Sequence, residues 1–260
     1  LTRLTNALSA KTPETRQAAL VALESAYPAD SPEANLAALG TSHADVRRAA
    51  LVRLFNRKLL GDATVQSAMR RRVEDADAEV RRVAFLLSLH TRPALLSALR
   101  SRDPELERQL ADLEGVSETA KPEPAAKPKK GRGEAAAKGE APTDEELTPL
   151  LQAAASRALD ASLRGARGLA VLGDPRAFGL LLQLSREEGE EARVEACRAM
   201  AALDDPRAAE RLRSLLYDPA LNVRDAAFSA LARLLGDEPL KAAEAGLNAP
   251  SENVRLRGLQ

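Results

Sequence analysis

Aromatic side chains are scarce in this sequence. Its 260 residues include four Phe, two Tyr and no Trp, although 45% of the residues are hydrophobic. The apolar core must therefore be built mainly from Ala, Leu and Val. Side chains of this size suit helices that approach one another closely.

Cysteine is nearly absent as well. The single Cys197 excludes an internal disulfide framework and agrees with a reducing compartment, so we expect a cytoplasmic location. Cys197 lies between Val194 and Met200 at a spacing typical of core positions. We therefore expect a small buried side chain here rather than a nucleophile.

Long apolar runs are missing too. No stretch approaches the roughly 20 apolar residues that span a bilayer, so we expect no membrane association. The sequence opens at Leu1 rather than Met and stops at Gln260 inside a predicted helix. We expect it to be part of a longer protein.

The residues that usually carry catalysis are few and scattered. His43 and His90 lie far apart, and only Cys197 could join them as a soft zinc ligand, whereas a zinc site needs three or four ligands. We expect both histidines to be capping or surface residues. No Walker loop, dinucleotide fingerprint or nucleophile elbow is present. The sequence therefore predicts a protein that is not an enzyme and has no cofactor and no metal.

Charge of one sign does not dominate, because 38 Lys and Arg residues balance 38 Asp and Glu residues. This balance lacks the basic footprint of a dedicated nucleic-acid binder. Arg70, Arg71 and Arg72 with Arg81 and Arg82 could form a local basic patch. We favour solvated helix ends and inter-repeat ion pairs for them and keep nucleic-acid binding as an alternative.

A repeated pair of residue types is the strongest positive feature. A small residue recurs seven times, at intervals of 31 residues in the C-terminal half: Ala19, Ala50, Ala84, Gly165, Ala196, Ala227 and Gly258. Three residues before it stands an Arg in six of the seven cases: Arg16, Arg47, Arg81, Arg193, Arg224 and Arg255, with Ser162 in the seventh. We call these six the arginine column. A period of this length predicts stacked supersecondary units.

Each unit is predicted to contain two helices. The second is clearer, as in residues 45–55, 79–89 and 222–235, where apolar residues recur with helical spacing. The connectors Gly173-Asp174-Pro175, Asp204-Asp205-Pro206 and Gly236-Asp237-Glu238-Pro239 predict a left-handed Gly that ends one helix and an Asp that caps the next. Nothing alternates with period two, so an all-α fold without a sheet is expected.

These segments resemble the short HEAT-like repeats of phycobilisome lyases and of many bacterial scaffold proteins. The resemblance rests on the VR-x-x-A-x-x-A-L segments and on the LGDPRA and LDDPRA connectors. It implies a right-handed alpha-solenoid of about seven or eight units, including a degenerate unit around Arg108 and Ala111. HEAT-like DNA glycosylases add aromatic and acidic residues to such a scaffold, and no residues here carry over that activity.

The periodicity is interrupted once. Residues 115–143 are rich in Pro, Gly, Ala and Lys and predict a disordered linker. We therefore expect an N-terminal array at 1–114 and a C-terminal array at 144–260, truncated at its end.

The arginine column admits two interpretations. An aligned row of guanidiniums could bind an acidic or phosphorylated ligand, but a structural role is favoured, in which each Arg bridges carboxylates or carbonyls of adjacent units. The second helices would then line a concave surface and display other side chains to a protein partner. The predicted contact residues are Arg48, Arg53, Arg57, Arg82, Arg198 and Arg233. The predicted function is a non-catalytic protein-binding scaffold, with nucleic-acid binding or an accessory, chromophore-lyase-like role as alternatives.

Overall fold

The structure is a computed structural model that describes residues 1–117, 142–236 and 239–259. These residues form helices and loops without a strand, which confirms the predicted all-α fold of helical hairpins. The chain divides into two compact units, Leu1–Thr148 and Pro149–Gln260.

The helices of the first unit pair as α1 with α2, α3 with α4, α5 with α6, and α7 with α8. Their bounds are α1 Thr2–Ala7, α2 Pro13–Ser25, α3 Glu33–Leu39, α4 Ala44–Asn56, α5 Ala63–Arg72, α6 Ala78–His90, α7 Pro93–Arg100 and α8 Pro104–Ser117. Helix α8 contains Arg108 and Ala111, so the degenerate unit forms a hairpin like the others.

The second unit repeats this arrangement. Its helices are α9 Thr148–Ala154, α10 Leu159–Val171, α11 Arg176–Leu184, α12 Glu190–Leu203, α13 Ala208–Leu215, α14 Leu221–Leu234, α15 Pro239–Leu247 and α16 Glu252–Gly258. In both units each second helix contacts the second helix of a neighbouring hairpin, as α4 does α6 and α12 does α14. The even-numbered helices thus form one layer and the odd-numbered helices the other.

Local signals in the sequence set the helix ends. The side chains of Asp62 and Asp77 accept hydrogen bonds from the first free backbone amides of α5 and α6. In the connectors, Gly173 has φ +75°, as predicted, and Asp204 adopts the left-handed conformation with φ 56° at the end of α12. The prediction is wrong for Gly236, which is not left-handed, because α14 ends at Leu235 with φ −97° instead.

The small-residue column lies inside each hairpin. Ala50, Ala84, Ala196 and Ala227 are fully buried. The tightest contact is at Gly165 in α10, where a Cβ atom would lie 2.2 Å from the backbone nitrogen of Ala154 in α9. Only a glycine fits there, because the neighbouring atoms belong to backbone rather than to a mobile side chain.

The predicted linker lies mostly outside the described residues, which resume at residue 142. Helix α8 extends to Ser117, three residues beyond the predicted boundary at residue 114. The division between the two compact units, after Thr148, lies within the predicted C-terminal array of residues 144–260.

Candidate functional site

The arginine column binds the loop within its own hairpin. In all six cases Nη1 donates to the carbonyl six residues earlier, at 2.7–3.1 Å, between the first and second helices. In five of the six, Nη1 also donates to the carbonyl five residues earlier, at 2.6–3.0 Å. These residues are Arg16, Arg47, Arg81, Arg193, Arg224 and Arg255. Ser162 replaces this contact with a hydrogen bond of 3.0 Å from its hydroxyl to the Ala154 carbonyl.

Three members of the column also reach the next hairpin. Arg47 donates through Nε and Nη2 to the two oxygens of Asp75 at 2.9 and 2.6 Å, and Arg193 donates to Asp218 in the same way at 2.8 and 3.0 Å. Arg16 pairs with Asp45 at 2.8 Å. The two-pronged geometry fixes both distance and orientation, so these pairs hold successive hairpins in register.

The carboxylate of Asp75 is held in its charged form. Its side chain is 1% exposed, and burial alone would raise its pKa. Hydrogen bonds from Arg47 and from the Asp77 backbone outweigh burial and lower the pKa of Asp75 below its ordinary value. The pair therefore stays ionised at neutral pH.

Three of the predicted contact arginines meet in one groove of the first unit. Arg48 and Arg53 from α4 and Arg82 from α6 line a cavity of about 620 Å³. Its apolar lining includes Ala49, Val52, Val83 and Leu113, and its other polar lining residues are Gln17, Asp45, Asn56 and Asp112. We call this cavity the N-terminal groove.

The polar neighbours of these arginines differ. Arg82 pairs with Glu79 of its own helix at 2.7 Å. Arg53 and Arg57 both approach the buried carboxylate of Glu24, which also accepts a hydrogen bond of 2.9 Å from Asn35. Arg57 does not line the groove. Among the described residues, the exposed Arg48 forms no ion pair.

A second groove lies in the other unit. Arg198 from α12 and Arg233 from α14 line a cavity of about 470 Å³ together with Arg257 from α16. The remaining lining residues are Val194, Ala201, Asn222, Asp225, Ala226, Ser229 and Ala230. Arg257 donates to the Ser229 hydroxyl at 2.8 Å and lies over the Phe228 ring at 5.4 Å. We call this cavity the C-terminal groove.

Both grooves use mainly the same face of the second helices. Along each second helix, positions can be counted from its column arginine, or from Ser162 in α10. Most residues that line the grooves lie one, two, five, six or nine positions after that residue. We call these five positions the second-helix face. On α2, α4 and α6 they hold Arg48, Arg53 and Arg82 and no acidic residue. On α10, α12, α14 and α16 five arginines face two acidic residues: Arg164, Arg167, Arg198, Arg233 and Arg257 against Glu195 and Asp225. A chain of zero net charge therefore has a basic second-helix face in each unit.

The other candidates belong to the core rather than to a site. Cys197 is fully buried, and burial raises the pKa of its thiol to about 12, so it is protonated at neutral pH. His90 was expected to be a capping or surface residue, but its ring packs against Phe55 with centroids 4.8 Å apart and planes tilted by 52°, and burial lowers its pKa. The nearest carboxylate to His90 is that of Glu114, at 3.7 Å. Within the described residues, no cluster of three metal-ligating side chains occurs, and no helix is long and apolar enough to cross a membrane.

Sequence reasoning missed two groups of residues. Asp75 and Asp218 are the acceptors for Arg47 and Arg193, and each stands six residues before the next column arginine. An Asp six residues before a column arginine was the feature of the sequence from which these acceptors could have been predicted. Arg257 stands two residues after Arg255, at a second-helix-face position, which would have placed it in the C-terminal groove.

The second unit matches a known family model. The model is described as HEAT repeats, and it matches residues 145–232 and 179–259. The description does not name the lyase subtype of the sequence resemblance. No curated protein sequence matches the chain.

Solved structures with a similar arrangement of helices include two engineered proteins. One is 18% identical, with 90% of this chain and 96% of that chain covered and a TM-score of 0.41. The other is 17% identical, with 98% and 76% covered and a TM-score of 0.37. Human deoxyhypusine hydroxylase in complex with glycerol is 20% identical, with 99% and 93% covered and a TM-score of 0.39.

Proposed function

Residues 145–259 belong to the HEAT-repeat family, and from this premise we propose that the chain is a non-catalytic scaffold that binds a protein partner on its second-helix face. HEAT repeats commonly mediate protein–protein interaction, because a stack of helices presents an extended surface whose side chains vary without disturbing the stack. We propose that this face is the concave side of each array.

One observation carries the proposal. The column arginines and the face arginines have different neighbours although both lie on the same helices. Arg47 stabilises the stack of hairpins, because it donates hydrogen bonds to the Thr41 carbonyl and to Asp75. Arg48, the next residue, is exposed in the N-terminal groove. A binding scaffold needs some side chains that hold its helices together and neighbouring side chains that remain exposed to a partner.

The arginines that line both grooves support binding of a protein partner. Arginine is enriched in protein interfaces, and small apolar side chains such as Ala49 and Val52 allow another main chain to approach closely. The protonated, buried Cys197 supports the non-catalytic part of the proposal. A reduced thiol also agrees with the cytoplasmic, bacterial-type setting that belongs to this proposal.

Site-specific photo-crosslinking tests the proposed face. A photoreactive amino acid at Val52, in the N-terminal groove, should crosslink a protein of the native lysate, and the adduct should survive nuclease. The matched control places the photoreactive amino acid at Arg71, which is exposed on α5 in the layer of odd-numbered helices. Equal crosslinking from both positions, or adducts only from Arg71, would show that the second-helix face is not the binding surface.

A further inference from the structure

Three arginines and two aspartates line the N-terminal groove. Asp45, which lines it, is already bound by Arg16 at 2.8 Å, and Arg53 is bound to Glu24. Arg82 has only an exposed pair with Glu79 within one helix, which contributes little and exchanges readily. Arg48 forms no ion pair among the described residues. Asp112, at the α8 edge of the groove, also forms no ion pair among the described residues. The groove therefore has two available guanidiniums, Arg48 and Arg82, against one available carboxylate.

The floor between these arginines is apolar. Val52 and Val83 line the groove with Leu113, which is 5% exposed and comes from α8. A ligand that satisfies this lining needs apolar side chains next to acidic ones on a single face. A helix of the amphipathic type presents them in that way.

Helix α8, the last second helix of the first unit, borders the groove. It contacts α4, α6 and α7, and its Leu110 and Leu113 are buried. Next to Leu113, Glu114 pairs with Arg100 of α7, in the odd-numbered layer, and lies 3.7 Å from His90 of α6. A helix of leucines and acidic residues is thus already packed along one side of the groove.

The contact between the two helices that carry these arginines suggests the spacing of the ligand's charges. Arg48 and Arg82 occupy the same position on α4 and α6, which are in contact. Packed helices lie about 8–10 Å apart. Seven residues of a helix span about 10.5 Å and return to nearly the same face. Two carboxylates seven residues apart could therefore meet both guanidiniums.

The same lining disfavours nucleic acid. The Asp112 carboxylate borders the groove without an ion pair among the described residues, and a phosphate backbone, which carries a charge at every nucleotide, would have to pass it. An acidic helix, unlike a phosphate backbone, can carry its carboxylates only at the positions that face Arg48 and Arg82. We infer that the N-terminal groove binds an acidic amphipathic helix of a protein partner, beside α8, with carboxylates seven residues apart on Arg48 and Arg82. This inference rests on the proposed function and names the partner's chemistry.

A designed peptide provides the test. The probe is a fluorescent helical peptide with Glu at positions i and i+7 and Leu at i+3 and i+4, and the control peptide has Gln in place of both Glu residues. Binding to the full chain is measured by anisotropy at low salt. We expect the Glu peptide to bind at least about fivefold more tightly than the Gln peptide, because charge-assisted hydrogen bonds are lost with the carboxylates.

Protein variants locate the site. Arg48→Gln should weaken binding of the Glu peptide by about fivefold or more and leave the Gln peptide unchanged. Arg71→Gln removes an exposed arginine from α5 and should change neither affinity. Circular dichroism checks that both variants keep their helicity. Equal affinity of the two peptides, or equal effects of the two substitutions, overturns the inference.

Two further outcomes separate this inference from the proposed function. A 20-nucleotide single strand that binds more tightly than the Glu peptide, and loses affinity with Arg48→Gln, would overturn both. Protein crosslinks from Val52 without selective binding of the Glu peptide would overturn the inference alone and leave the scaffold function in place.

Discussion

Arg47 of α4 and Asp75 of the loop between α5 and α6 form a buried ion pair with two hydrogen bonds of 2.9 and 2.6 Å. The pair joins two successive hairpins, and the same guanidinium binds the Thr41 carbonyl of its own hairpin at 3.0 Å. One side chain therefore links the fold of a repeat to the stacking of repeats. Arg193 and Asp218 reproduce this relationship in the second unit.

The first prediction concerns this pair. Asp75→Asn should destabilise the first unit by about 3 kcal/mol, because it leaves the Arg47 guanidinium buried without a counter-charge. Glu79→Gln removes the exposed partner of Arg82 and should change stability by less than about 0.5 kcal/mol. Urea unfolding followed by circular dichroism compares them. Equal midpoints for the two variants would mean that the pair does not stabilise the stack.

The second prediction is the pH dependence of that pair. Because the folded pKa of Asp75 is lowered, its contribution to stability is present above the unfolded pKa and is lost as the pH falls through 3.8 towards the folded pKa. The difference in unfolding free energy between the parent and Asp75→Asn should therefore shrink as the pH is lowered from about 6 to about 3. Urea titrations at several pH values measure it. A difference that grows on acidification would contradict the sign of the pKa shift.

The third prediction concerns the closest helix approach. Gly165→Ala would place a Cβ atom 2.2 Å from the Ala154 nitrogen and 2.5 Å from the Leu150 carbonyl oxygen. We expect a loss of about 2 kcal/mol or more, since backbone atoms must move. Gly179→Ala in α11 is the control, because a Cβ atom added there would have no neighbouring atom within 4 Å. This substitution should stabilise the protein by about 0.5–1 kcal/mol, since Ala favours a helix more than Gly does. Thermal melts of both variants distinguish a tight interface from a loose one.

The fourth prediction concerns the small-residue column elsewhere. Ala227→Leu should overpack the fully buried contact of α14 and destabilise it by about 1–3 kcal/mol. The neighbouring Ala226→Leu places the same side chain in the C-terminal groove, where space is available. Its melting temperature should stay close to that of the parent. If Ala227→Leu also melts like the parent, the column is not an interface.

The hairpin array could be predicted from sequence because the constraint that builds it repeats. Close helix approach requires Ala or Gly at each position of the small-residue column, such as Ala50 or Gly165. Loop anchoring uses the residue three positions earlier, which is Arg in six units and Ser162 in the seventh. Both are local to one hairpin. Asp75 and Asp218 were missed because they act between hairpins and occur only where the preceding column arginine reaches across.

The sequence allowed us to predict that some arginines share one helix surface, but not which residues surround each of them. Arg48 and Arg82 follow the column by one residue, and helical geometry alone brings them to one surface. Arg57, directly after α4, lies near Glu24 rather than in the groove, and its predicted partner contact stays a prediction. His90 is packed against residues from α4 and α8, and no local pattern encodes those neighbours.

The scaffold function is tested most directly by two variants of the whole chain in a pull-down from native lysate with nuclease, with the bound protein identified by mass spectrometry. One variant replaces residues 118–141, between the described segments, by a neutral Gly/Ser linker of equal length, and the other combines Arg48→Glu with Arg82→Glu. We expect the linker variant to retain its protein partner and the double variant to lose it with unchanged helicity, because only the second reverses charge in the N-terminal groove. Loss of the partner in the linker variant alone would contradict binding on the second-helix face.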